Sequence, residues 1–343
     1  MNFAMWRKAL QVIPEVSKEE WDALDLVSKW LIASRAAVLV MTFLSAVLAG
    51  LFALHDHAKV NPITWLVLVL GLVLAHAANN ILNDYTDYVR GVDKDNYYRT
   101  MYGPQPVADG LLTKTQHLLY FAVTGLLALA CGIYLIAILG GDSLVWLLLG
   151  LGAFFVLFYT WPLKYIALGE IAVLIVWGPL MIGGGYYVLT QNWSWNVVWA
   201  SLPYVLGVTT VIFGKHIDKY MIDKVKKIHT LPVVIGEKAA RYMVIGMMIL
   251  PYLLVLALIA VKYFTPVMLL VFVATPTFLK MYPQFLKPKP EARPEGFPDG
   301  QGGWTLYFAP QAFVNNRAFG MWFMLGLILD VVFRLVLPNF WVM

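Results

Sequence analysis

The sequence predicts an all-α membrane protein, a bundle of nine transmembrane helices with a polar cytoplasmic cap. Three observations carry that prediction. Of 343 residues, 60% are apolar and only 13% charged, with a mean hydropathy of +0.71, whereas a soluble domain carries about 25% charged residues. The apolar residues gather into runs of about 20, the length that crosses a hydrocarbon core. Finally, 22 of the 25 Lys and Arg fall on one side of a nine-span arrangement. That excess places the N-terminus and the even-numbered loops in the cytoplasm. The same numbers exclude a disordered chain, a soluble dinucleotide-binding enzyme and a disulfide scaffold, since Cys131 is the single cysteine.

Residues 1–29 read as an interfacial amphipathic segment ahead of a transmembrane domain over 30–343. Trp6, Leu10, Val12 and Ile13 supply the apolar side, and Glu15, Lys18, Glu19 and Glu20 the polar one. The start has no compact charged-then-apolar leader. The expected spans are 32–54, 62–82, 116–140, 143–161, 166–190, 196–214, 241–261, 264–281 and 319–338. Each must be a helix, because lipid offers an open backbone amide no partner. The Pro- and Gly-rich stretch from Pro283 to Pro310 reads as a cytoplasmic loop before the last span. The net charge of +5 is explained by topology, with basic residues meeting anionic headgroups, and it argues against a nucleic-acid partner.

Spans two and six each run into an acidic, basic segment on the same side, a weak pseudo-repeat that sets two candidate sites facing one another. In the first, His76, Asn80, Asn83, Asp84 and Asp87 recur at three- and four-residue steps and share one helix side. A single mid-membrane aspartate costs about 2.5–3.5 kcal/mol on insertion scales, so polar groups this dense at a span's end point to a ligand. Asp93 lies about 120° round an unbroken helix from Asp87, and Gly91 offers a break that brings it back. Carboxylate and amide oxygens without His or Cys partners suit Mg²⁺, which shares its sphere with a phosphate-bearing substrate. The second segment, Lys215 to Lys227, sets Asp218 and Asp223 among lysines, a composition for holding a metal and the anion it carries.

At these residues the sequence resembles the UbiA-type superfamily of intramembrane aromatic prenyltransferases, nine-helix proteins with two Asp-rich motifs at one membrane face. The matching residues are Asn83-Asp84-x-x-Asp87 followed by Gly91-Val92-Asp93, a form similar to the branch that prenylates 1,4-dihydroxy-2-naphthoate for menaquinone. Tyr159-Thr160-Trp161-Pro162-Leu163-Lys164-Tyr165, Leu168-Gly169-Glu170, Gly178-Pro179-Leu180, Gly185-Tyr186-Tyr187 and Asn316-Arg317-Ala318-Phe319-Gly320 resemble the same branch. The second motif departs from the family's four-residue aspartate spacing, because Asp218 and Asp223 are five apart. Counted back from Thr230-Leu231-Pro232, Asp223 matches the last aspartate and Lys219 takes the expected acidic position. On a regular helix Asp218 then turns about 140° away from Asp223. Either a bulge restores Asp218, or Lys219 stands in for one metal charge.

The resemblance implies Mg²⁺-dependent transfer of a polyprenyl group from its diphosphate to an aromatic quinone precursor, in a multi-pass cytoplasmic membrane protein. The implied metal ligands are Asn83, Asp84, Asp87, Asp93, Asp218 and Asp223. The substrate-binding set is Asn80, Arg99, Tyr159, Lys164, Glu170, Lys215, His216 and Lys219. Lys164 also serves catalysis as a donor to the departing diphosphate, while Asp87 or Asp223 takes the acceptor proton. Aromatic faces such as Tyr85, Tyr159 or Tyr220 shield the allylic cation. Elsewhere, Asp330 and Arg334 lie one turn apart and read as an ion pair, Gly183-Gly184-Gly185 as a close packing contact, and His55, His57 and His117 have no metal-ligand spacing. An ion-coupled transporter is the different-class alternative, disfavoured because transporter carboxylates sit near mid-membrane and these gather at one face. Other aromatic, porphyrin or sugar-phosphate acceptors are the same-class alternative.

Overall fold

A computed structural model describes residues 1–92, 103–290 and 306–337, and the described residues are helical, with a lone parallel bridge between Ile166 and His229 and no strand. Asp93 and Arg99 lie outside the described residues. The chain opens with α1 (Phe3–Gln11), α2 (Lys18–Ala23) and α3 (Leu26–Ala33), in place of the expected continuous surface segment. Caps divide it: Ser17 and Glu20 form a reciprocal capping box at α2, and Asp25 accepts from the Ser28 amide at α3. That amide, together with those from Asn2 and the Trp6 indole, holds the Asp25 carboxyl well below the usual range. Trp21 is buried in an apolar cluster with Leu31, Ile32, Leu111 and Leu112.

The spans follow as α4 (Ala36–His55), α5 (Pro62–Val89), α6 (Lys114–Ile138), α7 (Ser143–Phe158), α8 (Gly169–Thr190) and α9 (Trp195–Asp218). Two short helices, α10 (Tyr220–Val225) and α11 (Leu231–Ile235), precede α12 (Glu237–Ala260), α13 (Pro266–Phe285) and α14 (Phe308–Val336). Eight of these are long and apolar enough to cross a membrane. The segment expected at 143–161 is α7, whose 16 residues reach about 24 Å at 1.5 Å per residue, short of a hydrocarbon core of about 30 Å. Starts are set by side-chain caps: Asn61 ahead of Pro62, Thr113 paired with Gln116, and Asp142 at α7.

Among the helices that run past their expected ends, α5, α9 and α14 extend into polar stretches, and each of these extensions has a polar cause. α5 continues to Val89 rather than 82, and α9 to Asp218 rather than 214, because the acidic side chains of the added turns find partners inside the protein. α14 begins at Phe308 rather than 319, inside the stretch read as loop, because an anion from α9 receives its first amides (below).

α9 is the axis of the bundle, with 78% of its apolar window buried against 17% for α6, which lies on the outside. α9 packs on α8, α12 and α14. Contact with α14 is close enough that a Cβ at Gly214 would stand 2.9 Å from the Ala309 backbone. α8 carries a π-helical stretch, Val176–Gly183, around Pro179, which lacks the amide a regular helix needs there. The Gly183–Gly185 run is a packing contact as expected: a Cβ at Gly184 would lie 2.9 Å from Leu148, and at Gly185 2.8 Å from Ala49.

The end of the bundle remote from the acidic segments has a buried polar network of its own. Asp330 accepts from the Thr265 amide at 2.7 Å, meets His55 Nε2 at 3.1 Å and pairs with Arg334 Nε at 3.2 Å. Asp56 bonds His55 Nδ1 at 2.7 Å and accepts from the Tyr186 hydroxyl at 2.9 Å. The Asp330–Arg334 pair is the one read from sequence, and His55 proves to be its third member. Because Asp330 is fully buried, Asp330→Ala takes from Arg334 its counter-ion and from His55 one of the two carboxylates that meet it. We expect a loss of about 3–5 kcal/mol, read as a lower thermal midpoint in detergent.

Candidate active site

The two acidic segments converge at one end of the bundle. Lys226 Nζ donates to the Val92 carbonyl at 2.7 Å, joining the turn after α5 to the turn after α10. A third stretch, the 161–170 turn between α7 and α8, ties them together. Arg90 lies over the Trp161 ring at 4.5 Å and the Tyr165 ring at 5.2 Å. Ile166 bridges His229, and Glu170 accepts from the Leu231 amide at 3.3 Å.

Inside this junction each carboxylate meets a cation. Lys164 Nζ donates to both oxygens of Asp87, at 2.8 and 3.0 Å. Arg35 donates to Asp84 and, at 3.4 Å, to Gln105. Lys219 Nζ stands 3.5 Å from Asp223. All six of these charged side chains are buried. Behind them Glu170 bonds His216 Nδ1 at 2.6 Å, and both are 1% exposed. Tyr159 is close enough to feel the charges of Asp87 and Glu170. Tyr85 instead stacks on His117, and the Tyr220 ring faces Lys224 at 5.9 Å.

Sequence-predicted residues are thus brought together with two changes of role. Asp218 leaves the expected metal set. Its Oδ1 accepts from the Tyr307 and Phe308 amides at 3.0 and 2.9 Å, and its Oδ2 from the Ala309 amide at 2.9 Å. α14 has no side-chain cap from its own residues, so an anion from α9 satisfies its orphan donors and opposes the positive end of its dipole. The five-residue spacing is what turns Asp218 toward α14 while Asp223 stays at the junction. Nearby Lys289 is pushed below the ordinary lysine range by burial, with the Asp218 charge acting the other way. Asn80 likewise spends its amide locally, donating to the Ser34 carbonyl at 2.9 Å. That bond braces the break at Arg35, whose φ of 54° separates α3 from α4. Lys215 is half-buried on the last turn of α9.

Arg35 is the site residue that sequence reading counted only as a topology charge. Its signal was available: it is an isolated cation at the mouth of an otherwise apolar span, four residues short of Leu39 in a buried cluster. Which acid it would meet depended on packing between α4 and α5.

Among the described residues no three His, Cys, Asp or Glu side chains are grouped so as to hold a metal by themselves. The donor set nevertheless fits a hard cation that shares its sphere with a phosphate. Asn83 Oδ1 and both oxygens of Asp223 are buried and accept no hydrogen bond, and acceptors in that condition call for a cation or donor.

Comparison with known proteins agrees with this geometry. Residues 43–298 match the model of the UbiA prenyltransferase family, so the chain is a member of an intramembrane helical prenyltransferase family. The chain belongs to the UbiA family. It is 26% identical over 228 residues to the UbiA prenyltransferase domain-containing protein 1 homolog of Drosophila melanogaster, covering 64% of this chain and 60% of that one. It is 24% identical over 303 residues to 1,4-dihydroxy-2-naphthoate octaprenyltransferase of Bacillus subtilis (strain 168), covering 87% of this chain and 91% of that one. The fold is that of a UbiA homolog from Archaeoglobus fulgidus bound to GPP and Mg²⁺, with a TM-score of 0.59 at 14% identity over 88% of this chain and 99% of that one.

The capping role of Asp218 makes a clear expectation. Asp218→Ala strands three buried amides and should lower stability by about 2–3 kcal/mol in thermal unfolding, while Mn²⁺ affinity measured by paramagnetic resonance stays within about twofold.

Proposed function

We propose that this protein transfers a polyprenyl group from a polyprenyl diphosphate to an aromatic quinone precursor resembling 1,4-dihydroxy-2-naphthoate, in a Mg²⁺-dependent reaction. The observation that carries the reading is the junction itself: acids and cations from α4, α5, the 161–170 turn and α10 converge at one end of an apolar bundle. A polyprenyl diphosphate has the matching shape, a charged head on a tail that belongs in lipid. The aromatic acceptor is suggested by the Bacillus relative's name and by similarity at Asn83-Asp84-x-x-Asp87 and Gly91-Val92-Asp93.

Asn83, Asp84, Asp87 and Asp223 would hold the metal, joined by Asp93 in the resemblance. When bound, Mg²⁺ supplies positive charge against the charge that grows on the leaving diphosphate. Lys164, Lys219 and Arg35 aim further donors at the same oxygens, and because they are buried their attraction is little screened by water. Tyr159, within reach of the charges of Asp87 and Glu170, offers a ring face to the allylic cation as the C–O bond breaks, an attraction worth about 0.5–2 kcal/mol. The electron-rich ring carbon then forms the C–C bond, and the proton it loses passes to a carboxylate, Asp87 or Asp223. Glu170 fixes the His216 ring through Nδ1, which leaves Nε2 for a substrate hydroxyl. The excess of Lys and Arg at the site end argues that it faces the cytoplasm.

Purified protein with a prenyl diphosphate and 1,4-dihydroxy-2-naphthoate should release diphosphate only with Mg²⁺. Asp84→Ala should reduce that release at least about 10²-fold, and undiminished turnover would overturn the assignment. Offering homogentisate and 4-hydroxybenzoate in parallel, with products read by mass spectrometry, tests the acceptor.

A further inference from the structure

His76 stands at the centre of α5, midway between Pro62 and Val89. An ionisable side chain in the middle of a span is rare, and its default reading is a functional one. It also lies on the stripe that bears the acidic motif, because on a regular helix His76, Asn83 and Asp87 fall within about 20° of one another. Two neighbours meet its ring. Thr42 of α4 sets its Oγ1 2.7 Å from His76 Nδ1, and the Trp177 ring of α8 meets the imidazole edge to face, with centroids 5.3 Å apart. Trp177 belongs to the π-helical stretch Val176–Gly183, a distortion that recurs at functional sites.

Each of the two rings carries an N–H with no acceptor among the described residues. Thr42 is fully buried and its hydroxyl makes no other bond there, so it is satisfied by donating to Nδ1, which leaves the ring proton on Nε2. Trp177 Nε1 is buried and bonds nothing, and an indole nitrogen can only donate. Other indoles of this protein are placed differently: Trp65 donates to the Ala46 carbonyl and Trp30 to Thr124, each at 2.9 Å. A buried donor left unmet is costly, and packing of the ring does not explain it.

We infer that His76 Nε2 and Trp177 Nε1 receive a ring oxygen of the aromatic acceptor, on the edge away from the diphosphate, and so select the acceptor rather than act on it. The inference rests on the functional reading above and deepens it. Chemistry narrows the ligand. A polyprenyl tail has no oxygen to accept these bonds, and a diphosphate or a phospholipid headgroup would have to carry its charge to mid-membrane. An uncharged hydroxyl or carbonyl oxygen on an apolar ring meets neither obstacle. Depth agrees: His76 is eight residues before Asp84, about 12 Å along α5, which leaves room for the reacting carbon near the junction and a far ring oxygen at the two donors.

The test is one of specificity. The full chain in detergent, with Mg²⁺ and a prenyl diphosphate, is assayed with 1,4-dihydroxy-2-naphthoate, and with 1-hydroxy-2-naphthoate and 4-hydroxy-2-naphthoate as competitors that each lack one ring oxygen. Trp177→Phe keeps an aromatic ring and removes the donor. It should raise the KM for the dihydroxy acceptor about tenfold while the KM for prenyl diphosphate stays within about twofold. One competitor should weaken and the other should not, the insensitive one being that which lacks the bound oxygen. His76→Leu should repeat the pattern and Thr42→Val, which releases the imidazole, should show it more weakly. These two carry the test should Trp177→Phe fail to fold, as judged by size exclusion and thermal unfolding. Folded variants with an unchanged acceptor KM, or in which both competitors and prenyl diphosphate weaken together, would overturn the inference. Wild-type protein that prenylates no dihydroxynaphthoate would instead overturn the functional reading on which it rests.

Discussion

Charge buried at one end of an apolar bundle must be partnered, and this requirement governs the architecture around the site. Asp84, Asp87 and Asp223 come from two distant stretches, and each is answered by a buried cation: Arg35 at the mouth of α4 and Lys164 in the turn before α8 reach Asp84 and Asp87 from elsewhere in the chain, while Lys219 meets Asp223 from four residues before it. Taking an ion out of water costs several kcal/mol even after relaxation, so four segments are drawn to a common point. The acidic turns of α5 and α9 remain helical beyond the hydrocarbon lengths their apolar runs require because their side chains have somewhere to go. The junction is both the place where the chain crosses itself and the place where a charged ligand can be received.

The same rule operates at the opposite end with a different result. His55, Asp56, Asp330 and Arg334, with Tyr186 and the Thr265 amide, form a network in which Asp330 is shared between His55, Arg334 and a backbone amide. Asp218, though next in sequence to the site, belongs to this structural class: three amides of α14 consume both of its oxygens. What separates Asp218 from Asp223 is the kind of partner each meets. Fixed backbone donors make a cap, whereas Asp223 has one loosely placed ammonium and two oxygens that accept no hydrogen bond.

Much of this was legible before any coordinates. The apolar run lengths predicted the helices, and the three- and four-residue spacing put Asn80, Asn83, Asp84 and Asp87 on one face of α5. The Asp330–Arg334 pair and the tight packing at Gly183–Gly185 were also readable, because both depend on neighbours along one helix or on side-chain size. The misreadings share a cause. The start of α14, the three-helix N-terminus and the role of Asp218 are each decided by hydrogen bonds to backbone or side chains that a periodicity argument does not see. The single-helix reading of the N-terminal segment gave way to three helices because Ser17 and Asp25 cap new ones and Trp21 turns into a protein core.

The sequence by itself determined that the chain crosses a membrane as helices, which residues are polar at its spans' ends, and which superfamily it resembles. The first two follow from composition and from periods of three and four, and the resemblance from the motifs quoted above, all properties of the chain alone. Only the tertiary structure decided who pairs with whom: that Arg35 answers Asp84, that Lys164 holds Asp87 by both oxygens, that Asp218 caps α14 and Asp223 does not. Pairing of buried charges is a relation between segments as far as 77 residues apart, set by how helices pack. No local pattern encodes it.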